Sequence, residues 1–189
     1  MFGIFRKERE SYSGRDAYKY VEPLIRKAKE LYIISPYIDL YYAKFLLSNR
    51  GGKKIYIISS SIDQGAMKLF AGKRDRLSLL AYIVLIAALD YAAAMLGFYL
   101  SYVLIGSGIA IAAIAYMLSA PKKIKGLNVK VPSSFVHAKM YVSDSAAIEG
   151  SANLTYKGMH RNVERITVVR SKDEVEKMRK EFFALWNSL

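Results

Sequence analysis

The run HAKMYVSDSAAIEGSANLTYKGMHRNVE, from His137 to Glu164, is the most informative part of this sequence. It brings together an imidazole at His137, an ammonium at Lys139 and a small polar loop over 150–155. A neutral imidazole can attack phosphorus, an ammonium can neutralise phosphate oxygens, and backbone N–H groups in a loop of small residues can cradle an anion. These are the groups that phosphodiester exchange requires.

Polar and apolar residues alternate at the start of this run. The alternation predicts a strand over 135–142 that has one apolar face, made of Val136, Ala138, Met140 and Val142. His137 and Lys139 would share the opposite face, so that the nucleophile and the phosphate clamp point the same way.

The whole run resembles the HKD motif of the phospholipase D superfamily. Its tail, T-x-x-G-x-x-x-N-x-E, is similar to that of the small single-motif nucleases and mitochondrial phospholipase D-like proteins in that superfamily. The resemblance implies that His137 is the nucleophile, which forms a phosphohistidine, and that Lys139 binds the phosphate. It also implies that Ser151 and the catalytic-loop residue Asn153 contact phosphate oxygens or fix the loop.

The same resemblance assigns the remaining motif positions. Glu164, preceded by Asn162, matches the carboxylate that orients the histidine and holds its attacking tautomer. Asp144 and Gly150 complete the motif as structural positions. Only residues 145–149 separate them, one fewer than the family usually has, which predicts a tighter hairpin turn.

A metal centre is not expected. The chain has no cysteine and only two histidines, which is no ligand set for a zinc-type site. The resemblance likewise implies a reaction that needs no metal and no other cofactor. The second histidine, His160, lacks a lysine two positions later and is predicted to face solvent near the groove.

The charge balance favours anionic partners. Lys and Arg total 29 against 16 Asp and Glu, a formal net charge of +13. Both a nucleic-acid backbone and an acidic lipid surface would be attracted, and charge alone does not choose between them.

A long apolar stretch runs from Leu77 to Leu118, with Asp90 as its single charge. It is long enough for two membrane spans of roughly 20 residues each, with a turn near 97–101. Lysines and arginines flank both ends, so both termini and the catalytic part are expected on the cytoplasmic side. The alternative is a helical hairpin that is buried against a partner protein.

The rest of the chain alternates between helix and strand patterns, which predicts an α/β fold with a mixed sheet flanked by helices. The predicted strands cover 31–38, 55–59, 128–131, 135–142, 146–149 and 163–169, and the predicted helices cover 23–30, 40–49, 62–73 and 172–189. This order resembles one half of the phospholipase D fold. The domain would comprise residues 1–76 and 120–189, with the transmembrane hairpin inserted at 77–119.

Because the superfamily uses two cooperating histidines and this chain has one motif, the resemblance implies a homodimer with the active site on its two-fold axis. The first hypothesis is a membrane-anchored phosphodiesterase that acts on nucleic acid. A phospholipase D or transphosphatidylase acting on membrane phospholipids is the alternative. A non-catalytic, membrane-bound scaffold that binds anions is a further alternative.

Overall fold

A computed structural model describes residues 8–72, 83–88, 91, 95, 106–111, 113 and 123–189. The chain divides into two units. The first comprises Met1–Phe70 and Ile124–Leu189, and the second comprises Ala71–Lys123.

The first unit alternates between strands and helices, as the sequence predicted. Its strands are β1 (Arg9–Gly14), β2 (Glu30–Ile34), β3 (Tyr37–Ile38), β4 (Lys54–Ile58), β5 (Ser61–Ile62), β6 (Leu127–Lys130), β7 (Met140–Ser143), β8 (Ala147–Gly150) and β9 (Glu164–Val169). Its helices are α1 (Tyr18–Lys27), α2 (Leu40–Ser48), α3 (Gln64–Phe70), α4 (Tyr156–His160) and α5 (Lys172–Ser188).

Seven strands form one mixed sheet in the order β1-β9-β8-β7-β2-β4-β6. Strands β2, β4 and β6 are parallel, whereas β7 joins β2 antiparallel and continues into the antiparallel run β8, β9 and β1. Strands β3 and β5 form a separate parallel pair. The end of the large sheet at which β2 and β4 finish and β7 begins is called the site end below.

Both faces of the sheet are covered. Leu31 and Ile33 of β2 point into a core with α1, α2 and α3, while Tyr32 and Ile34 point into a second core that contains Phe182 of α5. A strand that is buried on both faces reads as a continuous apolar run, which explains the strength of the strand signal at 31–34.

Several elements differ from the prediction. The predicted strand 31–38 is two strands, because the chain turns at Pro36, which has no N–H to give to a ladder. Helix α1 starts at Tyr18, so that Pro23 lies inside the helix and not at its start. Strand β1 was not predicted, because its sequence RESYSG has little apolar content and its pairing partner is the distant β9.

Most of the predicted hairpin over 77–119 lies outside the described residues, as do Asp90 and the predicted turn at 97–101. Residues 83–88 and 106–111 are helical, and most of their side chains are exposed. None of the helices in the described ranges has both the length and the apolar character needed to cross a membrane.

Candidate active site

The motif residues meet at the site end, because the strands that carry them run in opposite directions. The N–H of Gly150, the last residue of β8, donates to the carbonyl of Lys139, just before β7, at 3.2 Å. Glu164 is the first residue of β9, the strand next to β8. The two sides of the hairpin and the start of β9 thus place Lys139, Gly150, Ser151 and Glu164 at one edge.

His137 and Lys139 lie before β7 and not within it, which corrects the predicted strand over 135–142. The physical reason is pairing. Met140 faces Ile34, the last residue of β2, so that the residues before Met140 have no residue of β2 opposite them. The Lys139 Nζ folds back and donates to the His137 carbonyl at 2.8 Å, and the His137 side chain is exposed. The ammonium and the imidazole therefore belong to one short, accessible segment.

Two contacts that the sequence did not indicate hold this segment. The Val136 N–H donates to Ser60 Oγ at 2.7 Å, which ties the segment to the loop after β4. The Phe135 ring lies edge-on to the His137 imidazole, with 4.6 Å between the ring centroids. No local pattern signals the first contact, since Ser60 is 76 residues away from Val136 in the chain.

Glu164 is a buried carboxylate, and both of its oxygens accept hydrogen bonds. The Ser151 hydroxyl donates to Oε2, and Asn162 Nδ2 donates to Oε1 at 3.1 Å. The Arg165 N–H in turn donates to Ser151 Oγ at 3.0 Å. Within the described part of the chain, no hydrogen bond joins Glu164 to His137, so that its predicted role as the histidine's orienting group stays a prediction.

Asn153 has a free acceptor inside the loop. Its Oδ1 is buried and has no hydrogen-bond partner among the described residues. A buried acceptor without a donor destabilises a fold by about 1–3 kcal/mol. This oxygen is therefore suited to receive an N–H or O–H group from a bound ligand or from a neighbouring ammonium.

The glycine of the motif is required by a close approach of two backbones. A Cβ added to Gly150 would lie 2.1 Å from the Arg165 carbonyl oxygen, which is backbone and cannot move aside. The absence of a side chain at Gly150 lets β8 and β9 come together at the point where the loop over 150–155 begins.

Asp144 is not brought to the other motif residues. It follows β7, at the end of that strand away from His137, and its Oδ1 accepts the Lys29 N–H at 2.8 Å. This hydrogen bond fastens the β7–β8 turn to the loop that follows α1.

His160 is partly buried, which corrects its predicted place in solvent. Its side chain is 20% exposed, and its Nε2 lies 3.1 Å from the Tyr42 hydroxyl and 3.6 Å from Glu22 Oε1. Its ring stacks between those of Tyr18 and Tyr156, at centroid distances of 4.3 and 4.7 Å. Burial, followed by the nearby Glu22 carboxylate, raises the pKa of Tyr42 above its ordinary value. Tyr42 is therefore a neutral hydrogen-bonding group at physiological pH.

The loop that carries Asn153 is anchored by side chains from other elements. Ser35 Oγ accepts the Leu154 N–H at 2.9 Å. The two oxygens of Asp39 serve two helices, since Oδ1 accepts the Tyr42 N–H at the start of α2 and Oδ2 accepts the Tyr156 N–H at 2.6 Å. The contact with Tyr42 makes Asp39 the N-cap of α2, and its second contact depends on the tertiary fold.

A shallow, cationic depression lies beside the motif. It is lined by Ala138, Lys139, Glu149, Gly150, Ser151, Arg165 and Thr167. Glu149 is paired with Arg9, whereas Lys139 and Arg165 have no ion pair to any described residue. No three His, Cys, Asp or Glu side chains in the described ranges are grouped so as to hold a metal ion. The depression can bind a phosphate through the Lys139 ammonium and the Arg165 guanidinium.

Proteins of known structure share this fold. The chain is similar in fold to the phospholipase D family member Nuc from Salmonella typhimurium, with a TM-score of 0.56, 14% identity and 95% of each chain covered. It is also similar to NucT from Helicobacter pylori, with a TM-score of 0.53, 14% identity, and 95% of this chain and 96% of that chain covered. No curated protein matches the sequence. The family model described as "Cardiolipin synthase, PLD-like domain" matches residues 21–186, and this chain therefore belongs to that family of PLD-like domains.

Proposed function

We propose that this protein is a metal-independent phosphodiesterase that acts through a phosphohistidine at His137 and whose substrate is nucleic acid. The observation that carries the proposal is that Lys139, Ser151 and Arg165 line one depression beside the exposed segment of His137. A binding scaffold needs positive charge but not a nucleophile next to an anion cradle, so this grouping favours an enzyme.

The proposed reaction has two steps. A ring nitrogen of His137 forms a bond to phosphorus while the bond from phosphorus to the leaving oxygen breaks, and that oxygen takes a proton from a second imidazole. Water then gives a proton to the second imidazole and attacks phosphorus, which breaks the bond to His137. Lys139 neutralises the non-bridging oxygens in both steps.

The second imidazole is proposed to come from a second copy of the chain. The other histidine of this chain, His160, is stacked between two tyrosine rings and hydrogen-bonded to Tyr42, which leaves it poorly placed to transfer a proton. A homodimer whose two His137 side chains face one groove would provide both groups.

The choice of nucleic acid rests on the tail of the motif together with the charge of the chain. The tail from Thr155 to Glu164 is similar to that of the small single-motif nucleases. The formal net charge of +13 suits a polyanion, which presents many phosphates to the surface at once. Together these two features favour nucleic acid over a lipid headgroup as the substrate.

We propose further that residues 77–119 form a two-span membrane hairpin with both ends on the cytoplasmic side. The support is the sequence, with its single charge at Asp90 and its flanking cations. Cysteine is introduced at Ser101 or at Ser133 of the cysteine-free chain, and right-side-out and inverted vesicles are treated with an impermeant thiol reagent. The cysteine at 101 should react in one kind of vesicle and the cysteine at 133 in the other. Labelling of both from the same side contradicts the hairpin.

The test of the function compares substrates. The detergent-solubilised full chain is incubated with single-stranded nucleic acid, with double-stranded nucleic acid and with mixed anionic and zwitterionic phospholipids. We expect cleavage of nucleic acid at an unchanged rate in EDTA, and binding that weakens steeply with salt because bound counterions are released. A rate that is lost in EDTA and restored by a divalent ion contradicts the covalent-histidine mechanism.

A phospholipase D or transphosphatidylase is the second candidate, because the family description names cardiolipin synthase and because the chain has a long apolar stretch. Release of phosphatidic acid from the vesicles, with nucleic acid left intact at low salt, would select it. The His137 mechanism would still apply.

A further inference from the structure

Four large aromatic side chains are exposed at the site end. Tyr37, Tyr41 and Phe135 are 46%, 46% and 48% exposed, and Tyr156 is 39% exposed. Isolated exposed aromatic side chains are common, but a cluster of them beside a functional site indicates a surface that binds something. These four residues are called the aromatic row below.

The row begins at the nucleophile. The Phe135 ring lies 4.6 Å from the His137 imidazole on one side and 5.8 Å from the Tyr37 ring on the other, measured between centroids. Farther along, the Tyr41 and Tyr156 rings lie 5.2 Å apart in an edge-to-face arrangement. Asp39 lies between Tyr37 and Tyr41 in the chain and accepts the Tyr156 N–H, so that one residue links the backbone segments that carry these three tyrosines.

The far end of the row is supported from within the protein. His160 stacks against Tyr156 and is itself held by the Tyr42 hydroxyl and by stacking on Tyr18. Tyr156 is thus positioned before any ligand arrives, which lowers the entropy that binding would lose.

Cations without acidic partners accompany the row. Lys44, Lys157 and Arg161 are exposed, and none of them forms an ion pair with a described residue. The Arg161 guanidinium lies 5.5 Å from the Tyr156 ring centroid. The nearest acidic groups are already engaged, since Asp39 accepts two backbone N–H groups and Glu22 pairs with Arg26.

We propose that the aromatic row is a base-stacking track that holds the single-stranded nucleic acid on one side of the phosphate attacked by His137. The inference rests on the proposed function and adds the residues that bind the strand. Rings that alternate with unpaired cations suit a chain in which bases alternate with phosphates. In a duplex the base faces are covered by neighbouring pairs, so that the track selects unpaired strands.

The test uses the full chain in detergent and a fluorescent single-stranded oligonucleotide, with the enzyme inactivated by His137→Asn. We expect Tyr41→Ala to weaken binding roughly 10-fold, equivalent to about 1.4 kcal/mol. Tyr41→Phe keeps the ring and should bind as the parent does. Lys29→Ala, which removes an exposed charge beside the β7–β8 turn, is the matched control for a surface change away from the row.

A second measurement separates this inference from the proposed function. Active Tyr41→Ala enzyme should hydrolyse a small phosphodiester, bis(p-nitrophenyl) phosphate, at the parental rate, because that substrate lacks the flanking nucleotides that the track would hold. No hydrolysis by the parent enzyme contradicts the proposed function. If the parent and the Tyr41→Ala enzyme both hydrolyse this phosphodiester and bind the oligonucleotide equally well, the track is contradicted and the proposed function is not.

Two other occupants of the row would also overturn the proposal. If Tyr41→Ala reduces binding to anionic vesicles but not to the oligonucleotide, the row contacts a membrane. If the variant changes the detergent-corrected mass from two chains to one, the row is an interface between copies of the chain. Thermal unfolding, followed by the fluorescence of the single Trp186, shows whether the variant is folded.

Discussion

At the scale of single residues, Glu164 explains why the small polar loop keeps its shape. A buried carboxylate is stable only when its oxygens are satisfied, and here Ser151 and Asn162 satisfy them. The motif spacing predicted that these residues belong together, because they lie within one run of the sequence. Their individual partners could not be predicted, since a side-chain hydroxyl can face a carboxylate, a phosphate or water with the same local sequence.

The roles of His137 and Lys139 can be separated by substitution. His137→Ala should abolish turnover of nucleic acid, because no bond to phosphorus can form. Lys139→Ala should lower kcat roughly 100-fold or more, because one group that stabilises developing charge is lost. Labelling with a 32P substrate, quenched in alkaline detergent because phosphohistidine is labile to acid, should detect the phosphohistidine in the parent and not in His137→Ala. Lys29→Ala is the control, and a comparable loss of activity in that variant would contradict a specific role for Lys139.

At the scale of secondary structure, the sequence predicted the elements whose pattern is local. Strands β2 and β4 are apolar runs that are buried on both faces, and α5 has an amphipathic pattern, so each carries its own signal. Strand β1 and the late start of β7 at Met140 carry no such signal. The bounds of these two strands depend on which residues of a neighbouring strand lie opposite them. That register is set by the tertiary fold and not by the local sequence.

Glu30 links β2 to its neighbours and should make stability depend on pH. Its Oε2 accepts the Tyr32 hydroxyl at 2.6 Å, and it pairs with Lys54 of β4 and Arg179 of α5. The hydrogen bond from Tyr32, helped by the two cations, lowers the pKa of Glu30 below its ordinary value of 4.5. Burial raises the pKa of Tyr32 to about 12, so that the hydroxyl stays a donor.

Because the folded state lowers the pKa of Glu30, the ionised carboxylate stabilises the fold above pH 4.5. This contribution disappears as the pH falls through the lowered pKa. Glu30→Gln should therefore reduce the free energy of unfolding at pH 7 and have a smaller effect at pH 3. Denaturant titrations of the full chain, followed by Trp186 fluorescence, measure both. Exposed Glu181→Gln is the control, and an equal effect of Glu30→Gln at both pH values contradicts the linkage.

At the scale of the whole molecule, the proposed homodimer can be tested by mixing chains. If each active site needs His137 from two copies, co-refolding the parent with an excess of His137→Ala chains should reduce activity more than simple dilution does. Co-refolding with Lys29→Ala chains should not. A detergent-corrected mass of one chain with full activity contradicts the dimer.

The pairing of β1 with β9 has a consequence for the order in which the molecule is made. Arg9 of β1 faces Val169 of β9. Strand β1 is the first strand of the sheet in the chain, and it cannot pair until β9, the last strand, has been translated. Contacts between such distant parts of a chain form slowly. During synthesis, the apolar stretch from Leu77 to Leu118 is translated before His137. The apolar stretch is therefore complete before the active site exists, and the nucleophile and its anion cradle come together only afterwards.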